Sequence, residues 1–205
     1  MAEYLLGKVS PLADAELNRM IEAMRQACQE GVTLVRDFVD QEFLESANVD
    51  LQLVRLDLAA RLRLVLDNYR QRQHAAGHHF YFEATHPRIY AEVDENKFLQ
   101  VINNLIGNAL KFTPDGGHIH VTLSQHPEHL LVTVADNGIG IPEALQPGLF
   151  ERFTRARRVG LRGEKTTGLG MSIIHTIVGL HRGRIWVDSQ EGRGSTFFIQ
   201  LPLSV

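Results

Sequence analysis

The sequence predicts an α/β protein of two layers, with three helices packed on one mixed sheet and a long helix before them. Three observations carry that expectation. Asp94 to Phe112 has the pattern of an amphipathic helix with polar side chains on a second face. β-rich runs lie on both sides of it, one of them ending in Asp136-Asn137-Gly138-Ile139-Gly140. A further apolar helix opens on Thr167-Gly168-Leu169-Gly170-Met171.

With 205 residues, 44% hydrophobic and 22% charged, the chain suits one sizeable globular domain plus an appendage. No apolar run approaches the length that spans a bilayer, and Met1 to Leu12 lacks the basic start and apolar centre of a signal peptide. No membrane contact is therefore expected of this stretch. The one cysteine, Cys28, fits a reducing, cytoplasmic setting. A net charge of −3 argues against bulk nucleic-acid binding. Charge is uneven, however: Asp14 to Asp50 holds nine acidic and three basic residues, and Glu151 to Lys165 six basic and two acidic. The basic run falls between two glycine-containing motifs, where a cationic loop would face an anionic ligand.

Taken in order, Asp14 to Phe43 reads as a long helix. Leu17, Ile21, Met24, Cys28, Val32, Val35, Val39 and Phe43 recur at three- and four-residue steps, a seam for another helix. A second copy of the chain is its simplest partner. Val54 to Leu58 reads as a strand and Ala59 to Gln73 as a helix with Leu62, Val65, Leu66 and Tyr69 inward, ended by Gly77. Phe80 to Glu83 and Arg88 to Glu92 read as a pair of strands around His86-Pro87. The central helix follows, with Asp94 as its cap and Phe98, Val101, Ile102, Leu105, Ile106, Ala109, Leu110 and Phe112 as its apolar stripe. Asp115-Gly116-Gly117 turns the chain into a hairpin of His118 to Ser124 and His129 to Ala135. Gly168 to His181 is the third helix of the sandwich, and Gly183 to Ser189 with Ser195 to Leu203 the last hairpin.

Asn104, Asn108 and Lys111 recur at steps of four and three and share a face of the central helix. Two amides and an ammonium in file suit a polyphosphate with its metal, since amide oxygens are hard ligands and Lys is a point charge. Asp136 closes a strand, where its carboxylate can accept from an exocyclic amine, and Gly138 and Gly140 permit close backbone approach. The glycines opening the third helix place N–H groups and the helix dipole where phosphate is favoured. Neither glycine run is a dinucleotide fingerprint or a P-loop. His118 and His120 alternate on one strand face without an accompanying Cys or carboxylate cluster, so zinc is not expected there. His74, His78, His79, His126 and His129 fall in loops or near element ends and are expected in solvent.

Asn104-Leu105-x-x-Asn108-Ala109-x-Lys111-Phe112-Thr113, Asp136-x-Gly138-x-Gly140, Phe150-Glu151-Arg152-Phe153 and Gly168-Leu169-Gly170 resemble the N, G1, F and G2 boxes of the ATP-binding domain of sensor histidine kinases. Gly192-x-Gly194-Ser195-Thr196-Phe197 resembles its closing strand. The resemblance covers about Leu51 to Val205, with the boxes in family order. It implies a Bergerat-type ATP-binding fold over 51–205, preceded at 1–50 by part of the kinase dimerisation hairpin and its linker.

Carried over residue by residue, the resemblance implies ATP and Mg²⁺ as ligands. Asn108 would hold the metal, with Asn104 supporting the phosphates. Lys111 and Arg155 would contact the β- or γ-phosphate, Phe112 would cover the nucleotide, and Asp136 would accept from the adenine amine. Gly138, Gly140 and Ile141 would line the base. Thr167, Gly168, Leu169, Gly170 and Met171 would seat the lid, Thr196 would help hold the adenine side, and Phe150 and Phe153 would anchor the lid. The implied function is the catalytic part of a two-component kinase, donating the γ-phosphate to a histidine on a dimerisation domain. A homodimer through the first helix and a response-regulator receiver domain would be its partners.

Two departures qualify the resemblance. The family's phosphoacceptor histidine precedes the ATP-binding domain, but the first histidine here is His74. Either a fragment of a longer kinase or a degenerate hairpin is thus expected, the fragment being favoured, and in both cases the chain would be unable to phosphorylate itself at the usual residue. Thr166 stands where the family usually has a third glycine, which predicts a different lid there and leaves a regulatory nucleotide-binding module without phosphotransfer as an alternative. An anti-sigma-type serine kinase is another, against which the first helix speaks. ATP hydrolases of the superfamily place a glutamate at the position of Asn104. An amide is no general base, so a fast ATPase is disfavoured.

Overall fold

A computed structural model describes residues 17–25, 27, 28, 31, 32, 35, 39, 50–72, 77–151, 158–164 and 168–203. The elements are β1 (Val54–Asp57), α1 (Leu58–Arg72), β2 (His79–Ala84), β3 (Tyr90–Val93), α2 (Glu95–Phe112), β4 (His118–Gln125), β5 (His129–Asp136), a 3-10 turn (Glu143–Leu145), α3 (Gly170–Leu180), β6 (Arg184–Gln190) and β7 (Gly194–Pro202). Five strands form the main sheet in the order β2-β4-β5-β7-β6. The pair β2 and β4 is parallel and the other pairs are antiparallel, which makes the sheet mixed. Parallel neighbours need a crossover, and α2 lies within the one between β2 and β4.

The two strands flanking His86-Pro87 do not pair with each other. β2 joins the main sheet through β4, whereas β3 pairs antiparallel with β1 in a separate two-stranded sheet. Leu58 N bonds Ile89 O at 2.8 Å, and the Asp57 carboxylate accepts from Ala60 N at 3.2 Å and Ile89 N at 3.3 Å. Asp57 thus starts α1 and fastens the loop before β3 with one oxygen.

Strand alternation decides which sheet face meets the helices. Ile119, Val121 and Leu123 of β4, Leu130, Val132 and Val134 of β5, and Phe197, Ile199 and Leu201 of β7 are buried. Against them lie Val101, Ile102, Leu105 and Ile106 of α2, Ile173, Ile174 and Ile177 of α3, and Leu58, Leu62 and Leu66 of α1 in one continuous core. Each such aliphatic side chain contributes about 1.5–3 kcal/mol on full burial. The α/β sandwich expected from the sequence is the fold observed.

Asp94 caps α2 as expected, its side chain accepting from Lys97 N at 3.1 Å. Every described position from 17 to 39 is helical. Of the seam expected there, Ile21 is buried, whereas Leu17, Met24, Val32, Val35 and Val39 are exposed, as is Cys28. Phe43 lies outside the described residues. Among those described, no helix is long and apolar enough to cross a membrane.

Candidate nucleotide-binding site

The C-terminal half of α2, the β5 end and the start of α3 converge. Asn104 and Asn108, one turn apart on α2, face the glycine-opened end of α3. A Cβ on Gly170 would stand 3.3 Å from Asn104 Oδ1, and Asn108 Nδ2 donates to Met171 Sδ at 3.2 Å. α3 starts after Leu169, which is buried, and has no side-chain cap there. First-turn N–H groups of a helix have no acceptor within it, so this end suits an anion. Lys111 lies in the last turn of α2, toward the same end.

Asp136 ends β5 on the helix-facing side, in register with buried Ile119. Its Oδ1 accepts from Gly138 N at 2.9 Å. Burial pushes its carboxyl up to about 6, against the opposing effect of the Gly138 and Ser195 backbone N–H groups. A carboxylate held in this way gains from a hydrogen-bond donor that enters the site.

The loop after Asp136 closes on α2 through its glycines. Ile139 N bonds Phe112 O at 3.0 Å, and a Cβ on Gly138 would sit 2.2 Å from that oxygen. Gly140 has φ +63°, and a Cβ there would meet Gln190 O at 2.0 Å. Only glycine satisfies both contacts. Ile141, half-buried, donates its N–H to Ser189 Oγ at 2.8 Å, and its carbonyl accepts from Gln146 Nε2 at 2.9 Å. Neither Ser189 nor Gln146 carries a motif, which is why reading along the chain misses both.

A model of the family described as histidine kinase-, DNA gyrase B-, and HSP90-like ATPase matches residues 93–205. The chain belongs to this family. The sensor histidine kinase TmoS of Ectopseudomonas mendocina is 35% identical over 208 residues, covering 98% of this chain and 21% of TmoS. The catalytic domain of histidine kinase ThkA, nucleotide-free, matches with a TM-score of 0.66 at 28% identity, over 75% of this chain and 97% of that one. Full-length ShkA in complex with AMPPNP matches with a TM-score of 0.77 at 27% identity, over 92% of this chain and 39% of ShkA. The chain thus spans about a fifth of the length of TmoS.

Within this histidine kinase-like ATPase fold, the sheet register sets Thr196 apart from Asp136. Thr196 stands in register with Ala135 and Asp188, on the sheet face turned away from the helices. The residue opposite Asp136 is Ser195, buried, whose hydroxyl meets Ser189 Oγ at 2.9 Å. A one-residue step along a strand reverses the face, and the glycines before Ser195 do not reveal which of two adjacent hydroxyls points inward.

Phe150 packs on the core with its ring 5.8 Å from His175, while Phe153, Arg155, Thr166 and Thr167 lie outside the described residues. His78 is buried, not solvated: its Nε2 lies 3.2 Å from Thr113 O and is assigned as the donor. On the opposite sheet face Tyr81 stacks on His120 at 4.3 Å and tilts against His118 at 5.8 Å. Among the described residues no group of three or more His, Cys, Asp and Glu side chains could hold a metal ion.

Proposed function

We propose that this chain is the ATP-binding catalytic part of a sensor histidine kinase, which donates the γ-phosphate of ATP to a histidine side chain on a dimerisation domain. The observation that carries the reading is the meeting of Asn104 and Asn108 of α2 with Gly170 and Met171 of α3, beside a partly buried carboxylate at Asp136. Family membership and the likeness to a kinase holding an ATP analogue, ShkA, support it.

In this reading Asp136 accepts from the adenine amine, Gly138 and Gly140 let backbone approach the base, and Phe112 covers it. Ser195 takes the place expected of Thr196 beside the base. The start of α3, with Gly168, Leu169 and Gly170, faces the phosphates, Lys111 and Arg155 would contact the β- or γ-phosphate, and Thr167 would help seat the lid. The Asn108 nitrogen is directed at Met171 Sδ, which leaves the amide oxygen as the atom suited to a hard cation. One protein oxygen fits Mg²⁺, which keeps waters and phosphates as its other ligands and would neutralise phosphate charge when bound. The remaining demands of phosphoryl transfer are positioning and charge, which Lys111 and Asn104 supply. Asn104, an amide, prepares no water for attack, so transfer to a protein side chain is favoured over hydrolysis.

The receiving histidine lies outside 1–73, where the sequence has none. The exposed apolar positions of the first helix form the seam for a second copy, in a partial dimerisation segment over 1–50 that precedes the catalytic domain over 51–205. A response-regulator receiver domain would take the phosphate from that histidine, in the cytoplasm. Calorimetric titration with a non-hydrolysable ATP analogue, with and without Mg²⁺, tests the reading. One-site, Mg²⁺-enhanced binding is expected, and absence of binding in both conditions would overturn it.

A further inference from the structure

We propose that Arg162 and Asp115 are a positioning pair that holds a strap of residues 158–164, part of the lid expected from the resemblance, on the end of α2, and that this one contact slows nucleotide release. The inference rests on the nucleotide-site reading above and goes beyond it, since neither residue belongs to that site. The last carbonyls of a helix have no donor within it and must find one elsewhere. At the end of α2 three distant segments supply four donors: Arg162 Nη1 reaches Leu110 O at 3.3 Å, and Leu161 N bonds Lys111 O at 2.9 Å. Ile139 N serves Phe112 O at 3.0 Å and His78 Nε2 serves Thr113 O at 3.2 Å. Two of the four therefore come from the strap.

The strap is shaped by its own bonds. Gly160 N donates to Glu164 O at 2.8 Å, Gly163 N to Gly160 O at 3.0 Å, and Arg162 N to Glu164 Oε2 at 2.9 Å. At one end Arg162 pairs with Asp115, in the turn that follows α2, and the guanidinium holds that carboxyl below the ordinary carboxylate range. At the other end Arg158 donates to Gly140 O, and its guanidinium lies 5.4 Å from the Phe112 ring centroid. The strap thus spans from Asp115, outside the site, to Phe112 and Gly140, within it. A guanidinium at a helix C-terminus is also favoured by the dipole. Part of the basic run therefore clamps the loop on the protein instead of facing the ligand. The strap's contacts and the site share Phe112 and Gly140, so in the proposal docking favours nucleotide affinity, and by linkage nucleotide favours docking.

The test compares the wild-type chain with Asp115→Arg, Arg162→Asp and the combined charge swap. The side chains are 73% and 37% exposed, so the changes leave the core intact, which thermal melting checks. Hydrogen exchange at the Leu161 amide reads docking without nucleotide, and stopped-flow release of Mg²⁺-bound mant-ATP reads retention. Each single change is expected to speed both by about fivefold, the scale of a partly exposed ion pair, and the swap to recover part of each, because the charge pairing returns while the donation to Leu110 O and the pairing with Glu164 do not. Unchanged Leu161 exchange in the single variants overturns the clamp. Faster exchange with unchanged mant-ATP release overturns the coupling, and a swap that behaves like the single changes overturns the pairing. A wild-type chain that binds no mant-ATP sinks the nucleotide reading and with it the coupling, while Leu161 exchange still decides the clamp.

Discussion

Asp136 and Ser195 face each other in register across β5 and β7, on the helix-facing side of the sheet, whereas adjacent Thr196 points to the other side with Ala135 and Asp188. Ser195→Ala should weaken binding of an ATP analogue about fivefold, the scale of one lost hydrogen bond. Thr196→Ala should leave affinity within about twofold. Calorimetry on both variants checks the assignment, and the reverse ranking would return the role to Thr196.

Asp136 has a carboxyl raised to about 6 by burial. An acid that binds its proton more tightly folded than unfolded makes the folded state lose stability as pH rises from about 4 to about 6, and the loss persists above that window. Its size is about 2–3 kcal/mol at neutral pH. Asp136→Asn, which carries no charge, should therefore raise the melting temperature of the nucleotide-free chain at pH 7.5 and change it little at pH 4.5, while abolishing nucleotide binding. An equal shift at both pH values would remove burial of the charge as the cause.

The same carboxyl sets a pH dependence for the ligand. If the ionised form is the acceptor for the adenine amine, affinity should fall about tenfold per pH unit below about 6 and level off above it. Fluorescence titration with mant-ATP from pH 5 to pH 8 reads this, and a slope that survives in a variant with residual binding, Asp136→Glu, moved to that residue's own pKa would strengthen it. A flat profile through pH 6 would deny Asp136 the contact.

Gly138 and Gly107 give a matched contrast. A Cβ on Gly138 would stand 2.2 Å from Phe112 O, a backbone atom, whereas one on Gly107 in α2 would meet nothing within 4 Å. Gly138→Ala should cost about 1–3 kcal/mol and impair nucleotide binding. Gly107→Ala should gain about 0.5–1 kcal/mol through helix propensity. Urea unfolding of the two variants decides it.

Asn108→Asp replaces an amide whose nitrogen donates to Met171 Sδ by a carboxylate that accepts only. The contact to sulfur is lost and a charge is added at the proposed metal position. Mg²⁺ titration of analogue binding should shift by several-fold relative to wild type, and superimposable titrations would take Asn108 out of the metal site.

The elements were legible because their signals are local. Asp94 marks the start of α2 and its stripe of Phe98, Val101, Ile102, Leu105 and Ile106 is buried as its periodicity requires. The paired amides of α2, the Asp136 loop and the glycines before α3 were legible as candidate site parts for the same reason. His78 was misplaced because its burial depends on the α2 end and the strap that approach it from elsewhere in the chain. Ser195 is not legible as the neighbour of Asp136 because two adjacent hydroxyls differ only in which face the register turns inward.

By itself, then, the sequence determined the order of helices and strands, the polar face of α2, the carboxylate ending β5 and the glycines where backbone must come close. These follow from side-chain periodicity and from backbone conformations that few residues tolerate. Only the tertiary structure decided that β3 pairs with β1 and not with β2, that Ser195 stands at Asp136, and that Arg158, Leu161 and Arg162 bind the strap to the end of α2. Those outcomes depend on which unsatisfied carbonyl, amide or charge lies within a few ångströms in space, and residues far apart in the chain carry no mark of one another until the fold brings them together.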